Sequence, residues 1–272
     1  MRSPLSETYP TAWITGGSSG LGLALAKALS QEGIQVVATS RNPDGCPILP
    51  GVRFARLDFE DGPGTATDFV RRMEKEGCEP PDLLINNAGS GAFGRLANLP
   101  EEAIRAQLEV MLTGPACLCR EVFPILVARG RGCIVNVSSL AVDYPLPFMH
   151  PYNTAKAGLS GLSESLRWEA CGSGVKIIDL RPGDLRTRFN EVTRRHDSPD
   201  DTRLQKTWNS LDAHLQAAPD PNRAAQTLLR LLRRGAEGTH TTGSFFQAKL
   251  GMWAIRLFGK RWIQPFLSLY YR

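Results

Sequence analysis

Tyr152 and Lys156 stand four residues apart, just before a run that reads as helix over Ala157 to Ala170. At that spacing two helical side chains share one face. A phenol with an ordinary pKa of about 10 is a poor acid or base at neutral pH. A neighbouring ammonium favours the phenolate and lowers that value. Such a pair can pass a proton to or from a substrate hydroxyl or carbonyl. Alone, a Tyr and a Lys four apart are more often a solvated helix face, so the chemistry depends on what else the chain brings to them.

The strongest companion lies near the N-terminus. Thr11 to Thr15 reads as a short apolar strand that runs into Gly16-Gly17-Ser18-Ser19-Gly20-Leu21-Gly22. A helical pattern follows, with Leu21, Leu25, Ala28 and Leu29 on one face, and closes at Gly33. Strand, glycine-rich turn and helix are the context in which such glycines bind a dinucleotide. Gly16 allows the tight turn, Gly20 a close backbone approach to a pyrophosphate, and Gly22 close packing of helix on sheet. The helix start offers unpaired N–H groups and a positive dipole end to phosphate. The next strand, Gln35 to Thr39, ends in Ser40-Arg41, and the first acid after it is Asp44. An acid at this place holds a ribose 2′-OH, whereas an arginine accommodates a 2′-phosphate. Arg41 therefore predicts NADP over NAD, unless it only faces solvent.

The elements that must position these residues follow in regular order. Val52 to Leu57 reads as a strand ending at Asp58, and Gly64 to Glu76 as a helix. Asp82 to Ile85 is a strand that opens into Asn86-Asn87-Ala88-Gly89. Glu101 to Leu118 is helical, with Ile104, Leu108, Met111 and Leu112 facing inward. Cys133 to Val137 ends in Ser138-Ser139, and Val175 to Leu180 ends in Arg181-Pro182-Gly183, with Thr187 beyond. Alternating strands and helices predict an α/β fold with a doubly wound parallel sheet. Without repeats or a low-complexity linker, residues 1–244 form one domain and 245–272 an extension of it. From Asn190 to Pro219 periodicity fades and charge rises, which suits a functional loop or lid.

The composition fits a globular domain: of 272 residues, 42% are hydrophobic and 22% charged. Six cysteines without a paired spacing read as reduced thiols, and neither they nor the four histidines form a metal motif. No secretory signal and no apolar run of about 18 residues is present, so a cytoplasmic protein without a spanning helix is expected.

Taken together, Thr15-Gly16-xxx-Gly20-x-Gly22, Asn86-Asn87-Ala88-Gly89, Ser139, Tyr152-xxx-Lys156 and Pro182-Gly183-xxx-Thr187 resemble the short-chain dehydrogenase/reductase family. The resemblance covers roughly residues 10 to 190. It implies a Rossmann-like sheet of about seven strands between two helical layers. It also implies a homodimer or homotetramer, and hydride transfer between a nicotinamide and a carbonyl or alcohol. In the roles it implies, Tyr152 is the general acid or base. Lys156 lowers the Tyr152 pKa and binds the nicotinamide ribose, and Ser139 orients the substrate oxygen. The turn Gly16, Ser18, Ser19, Gly20, Leu21 and Gly22 takes the phosphates. Asp58 meets the adenine, Asn87, Ala88 and Gly89 the adenosine ribose, and Pro182, Gly183 and Thr187 the carboxamide. One position departs: Met111 stands where the family typically has an asparagine that helps hold a relay water, and a thioether is only a weak acceptor.

The chain also departs at its end. From Arg223 onward it carries nine Lys or Arg and one acid, Glu237. Within the extension Leu250, Trp253, Ala254, Leu257 and Phe258 share one helical face beside Lys249, Arg256, Lys260 and Arg261. Such a basic patch can answer nucleic acid or an anionic membrane. The aromatic face favours peripheral membrane contact and no nucleic acid. Packing on its own domain or a partner subunit is the alternative. The reading is an NADP-dependent oxidoreductase of an apolar, lipid- or steroid-like ketone or secondary alcohol. A non-catalytic cofactor-binding or regulatory protein that keeps the fold is the other.

Overall fold

The computed structural model describes residues 4–196 and 198–244; the extension 245–272, and with it the expected membrane face, lies outside them. A short helix α1 (Leu5–Thr8) leads into β1 (Thr11–Ile14), α2 (Gly20–Gln31), β2 (Gln35–Ser40), β3 (Val52–Arg56) and α3 (Thr65–Lys75). Then come β4 (Leu83–Asn86), β5 (Ala92–Gly94), α4 (Glu101–Leu108) and α5 (Gly114–Arg129), the last two joined by a π-helical turn, Glu109–Thr113. β6 (Gly132–Val137), α6 (His150–Glu169), β7 (Val175–Pro182), α7 (Phe189–Val192) and β8 (Arg194–His196) follow. The described part closes with α8 (Thr202–Gln216), α9 (Pro221–Arg233) and β9 (Gly238–Thr242).

Seven of these strands form one parallel sheet in the order β3-β2-β1-β4-β6-β7-β9. Alternation along each strand sends side chains to opposite faces. Ile14, Ile85, Val135 and Leu180 therefore pack under α2 and α9, with Leu25, Leu29, Leu228 and Leu232. Trp13, Leu84, Ile134 and Ile177 pack on the other face, with Phe69 and Met73 of α3 and Leu118, Val122 and Leu126 of α5. Both faces are covered, so the central strands β1, β4 and β6 read as largely apolar runs. Each fully buried Leu or Ile contributes about 1.5–3 kcal/mol to holding this sandwich.

The strand order reverses between β1 and β4, and in such sheets the crevice at the carboxyl ends beside the reversal takes the ligand. The segment expected to be a loop or lid instead carries α7, β8 and α8. Helix α6 starts at His150 rather than Ala157, so Tyr152 and Lys156 lie within its first two turns. The continuous helix Glu101–Arg129 is long and apolar enough by composition to cross a membrane, against expectation. Its α5 face is spent on the sheet, where Leu118, Val122 and Leu126 are buried.

Candidate active site

Close approach explains the glycine turn between β1 and α2. Gly16 has a left-handed φ of 67°, and a Cβ there would stand 2.8 Å from the Ala88 Cα. A Cβ on Gly22 would meet the Gly16 carbonyl oxygen at 2.1 Å. The turn is buttressed from β4. The Asn87 side-chain amide donates to the carbonyls of Thr15 (3.0 Å) and Gly16 (3.1 Å). The buried Thr15 hydroxyl accepts from the backbone N–H groups of Asn87 (2.9 Å) and Ala88 (3.0 Å). Ser19 is the N-cap of α2 but makes no side-chain cap bond. The first N–H groups of α2 thus lack a capping side chain where the helix opens on the cavity.

That cavity has a volume of about 1290 Å³. Gly16, Ser18, Ser19, Gly20, Leu21, Arg41, Asp58, Asn87, Ala88 and Gly89 line one end. Ser139, Tyr152, Lys156, Pro182, Gly183 and Thr187 line its middle. Gly22 is set back, beneath the turn. The Thr187 side chain is 3.2 Å from where a Gly20 Cβ would be, so the loop after β7 closes over the glycine turn. Apolar Leu140, Leu146, Met149, Phe189, Leu211 and Leu215 also line the cavity, together with polar Tyr144, Asp184, Arg188, Asn190 and Glu191.

At the centre, the Ser139 hydroxyl faces the same cavity as the Tyr152 phenol and accepts from the Ala141 N–H at 3.0 Å. The Lys156 ammonium is 5.9 Å from the Tyr152 ring centroid and donates to the Val137 carbonyl at 2.7 Å. Lys156 is 4% exposed. Burial raises the Tyr152 pKa above its ordinary value; the Ser139 hydroxyl works against the rise, and the Asp184 charge adds to it. The lowering expected from Lys156 therefore does not prevail. The same burial brings Lys156 itself down to about 8, against the pull of the Asp179 carboxylate.

Met111 sits inside the π-helical turn and is fully buried. A Cβ on Gly89 would lie 3.3 Å from its sulfur and 3.8 Å from the Lys156 nitrogen. Thioether and ammonium thus flank the same glycine, and the sulfur offers the ammonium only a weak acceptor.

A small secondary core holds the α7–α8 segment against the site. β5 and β8 pair in parallel, and Gly94 lets the strands close: a Cβ there would be 2.8 Å from the His196 carbonyl oxygen. Phe93 meets Phe148 and Trp208 edge-on at 5.9 and 5.1 Å. Arg95 pairs with Asp201 at 2.6 Å. Phe148, just before α6, is the one non-glycine residue with a left-handed φ, 60°, among the described residues. Such backbone strain persists where surrounding packing enforces it. Sequence reasoning passed over α8, although Asp201 caps it and Leu204, Trp208, Leu211 and Leu215 recur at helical spacing.

It also passed over a buried polar cluster behind Ser139 and Lys156. Asp179, 1% exposed on β7, accepts from the hydroxyls of Ser138 and, at 2.8 Å, Ser160, and from Arg181 Nε at 2.9 Å. Arg181 continues to Asp143 at 2.7 Å and to the Ser160 hydroxyl at 2.7 Å. The signal was an acid and an arginine two apart, on one face of a strand that continues Val175 and Ile177.

The sequence profile described as "short chain dehydrogenase" matches residues 10–198. The chain is 34% identical over 200 residues to a bovine protein named dehydrogenase/reductase SDR family member 4, covering 70% of each chain. It is 32% identical over 178 residues to the 3-ketodihydrosphingosine reductase of Bacteroides thetaiotaomicron, covering 65% of each. Among solved structures, a short-chain dehydrogenase from Streptomyces avermitilis superposes with a TM-score of 0.77 at 25% identity, covering 94% of this chain and 97% of that one.

Proposed function

The chain belongs to the short-chain dehydrogenase/reductase family and is an NAD(P)-dependent oxidoreductase of CH–OH and C=O groups; from that premise we propose that it uses NADP and acts on an apolar ketone or secondary alcohol, with Tyr152 as general acid and base. The observation that carries this reading is the cavity itself. It joins a phosphate-ready helix start, the Ser139–Tyr152–Lys156 group and the apolar lining residues.

The fit to a dinucleotide rests on the start of α2, where backbone N–H groups without a capping side chain face the cavity. Arg41 at the cavity rim, with no acid beside it, favours a 2′-phosphate. When bound, the nicotinamide supplies or takes the hydride.

The chain's own residues handle the oxygen. Ser139 holds the substrate oxygen beside the phenol. In reduction Tyr152 gives its proton to that oxygen, and in oxidation it takes the proton back. A raised phenol pKa keeps Tyr152 protonated at neutral pH, which suits the acid role in reduction. The Lys156 ammonium, anchored on the Val137 carbonyl, favours the phenolate that proton donation leaves. The apolar lining residues admit a hydrocarbon body. That the similar Bacteroides protein is named for a long-chain keto lipid supports the substrate class. Assembly as a homodimer or homotetramer, in the cytoplasm, belongs to the same proposal.

The test is NADPH oxidation over a ketone panel that runs from small polar ketones to long-chain and steroid ketones. Turnover confined to the apolar members, and faster with NADPH than NADH, is the expected result. Met111 favours a second reading, a cofactor-binding protein without turnover. Tight NADPH binding with no oxidation of any ketone would support that one.

A further inference from the structure

Lys156 is a buried cation, and burial of a cation is costly unless a counter-charge is near. The charged and titratable groups around it come from every element packed on that corner. Tyr152 lies on its own helix, Asp179 and Arg181 on β7, Asp143 on the turn after Ser139, and Asp184 on the loop after β7. Arg181 and Lys156 are the two basic groups among them, and Asp143, Asp179 and Asp184 the three acidic ones. Asp179 is the most deeply buried of the three groups in the Asp143–Arg181–Asp179 chain, with its side chain 1% exposed against 14% and 12% for Arg181 and Asp143.

The hydrogen bonds from Asp179 reach each element that sets the Lys156 position. Ser160, one helical turn beyond Lys156 on α6, donates to its carboxylate. Ser138, which follows the carbonyl that Lys156 binds, donates to it as well. Arg181, held by Asp179, pins Asp143 and with it the turn that starts at Ser139.

We propose that Asp179 is a positioning residue for Lys156: it is the buried counter-charge that keeps the ammonium charged, and with Arg181 it fixes α6 and the Ser139 turn around it. The assignment rests on reading Lys156 as part of the catalytic site. The depressed Lys156 value is consistent with burial that Asp179 only partly offsets. Removing Asp179 deepens that depression. Removing Arg181 relieves Lys156 of a nearby cation while leaving both carboxylates, and so raises it. The opposite signs set a counter-charge apart from a merely structural role.

The experiment is an NMR pH titration of the full-length protein labelled with ¹⁵N-lysine, the Lys156 Nζ signal being assigned from Lys156→Arg. In Asp179→Asn the midpoint should fall by about one unit, a tenfold loss of proton affinity. In Arg181→Gln it should rise. At pH 8 the kcat of Asp179→Asn should drop about fivefold, following the charged fraction of Lys156. Midpoints that stay put in both variants, or move the same way, overturn the proposal. If Asp179→Asn does not fold, Asp143→Asn takes its place with a smaller fall expected, and an unmoved or rising midpoint there overturns the proposal equally. The titration needs no substrate. Shifts of opposite sign in a protein that reduces no ketone would leave the counter-charge standing and remove the proposed function alone.

Discussion

The Phe189 ring meets the Tyr152 ring edge-on, with centroids 5.5 Å apart and planes at 66°. Phe189 opens α7, so that helix rests directly on the proposed general acid. Aromatic pairs of this kind contribute about 0.5–1.5 kcal/mol beyond the area they bury. The contact also keeps water from the phenol, and burial is the leading cause of the raised Tyr152 pKa.

Phe189→Ala should therefore act on protonation as well as on binding. Opening the phenol to water lowers its pKa, so the alkaline limb of kcat/KM for ketone reduction should move to lower pH. KM for an apolar ketone should rise about tenfold, the scale of losing one buried apolar contact. A higher KM with an unmoved limb would mean that Phe189 only lines the cavity.

Lys156 predicts a pH dependence of stability. Its folded pKa, about 8, lies below the ordinary lysine value of 10.5. Between those values the unfolded chain binds more protons than the folded one, so this group's contribution to stability rises with pH across that window. Below pH 8 its cost is fully present. At about 1.4 kcal/mol per unit, the whole window is worth roughly 3 kcal/mol. Urea unfolding of wild type and Lys156→Met at several pH values checks this: the difference in favour of wild type should grow from about pH 8 upward. A constant difference would place the Lys156 pKa near its ordinary value.

Arg41→Ala should weaken NADPH binding about ten- to a hundredfold and leave NADH unchanged, since a charge-assisted contact to phosphate is worth about 1.5–3 kcal/mol. Fluorescence titration of both cofactors decides it. Equal losses for both would remove the NADP assignment.

Met111→Asn puts an amide into a fully buried site. Without partners that costs about 1–3 kcal/mol, so Tm should fall. If proton exit from Lys156 limits turnover, kcat should rise and its solvent isotope effect shrink. A folded variant that turns over more slowly would mean the proton leaves by another route.

The basic tail gives a fifth outcome. Full-length protein should sediment with anionic vesicles at low salt but not at high salt, and a chain ending at Ser244 should stay folded and in solution. Unfolding of the shortened chain, with no vesicle binding by the intact one, would assign the tail to packing instead.

The parts legible in the sequence were those written locally. The glycine turn declares itself because strand, turn and helix are contiguous. β1, β4 and β6 declare themselves because burial on both faces makes them largely apolar runs. What stayed hidden depends on distant partners. β5 and β8 are three residues each and exist through their pairing. β9, Gly238–Thr242, is a polar stretch that becomes a strand beside β7. The sign of the Tyr152 shift was misjudged because spacing shows the neighbouring ammonium but not the depth of burial. Asp179 and Arg181 were in view, yet only the fold brings Ser138, Ser160 and Asp143 to them.

The central claim is that Tyr152 transfers the proton, and Tyr152→Phe tests it most directly, because the substitution removes the hydroxyl and leaves the ring that packs on Phe189. Steady-state ketone reduction should fall about 10²–10⁴-fold, the scale of general acid catalysis, while NADPH affinity stays close to that of wild type. A folded Tyr152→Phe protein that keeps more than about half the wild-type rate would contradict the account, since general acid catalysis lost at this site cannot cost so little.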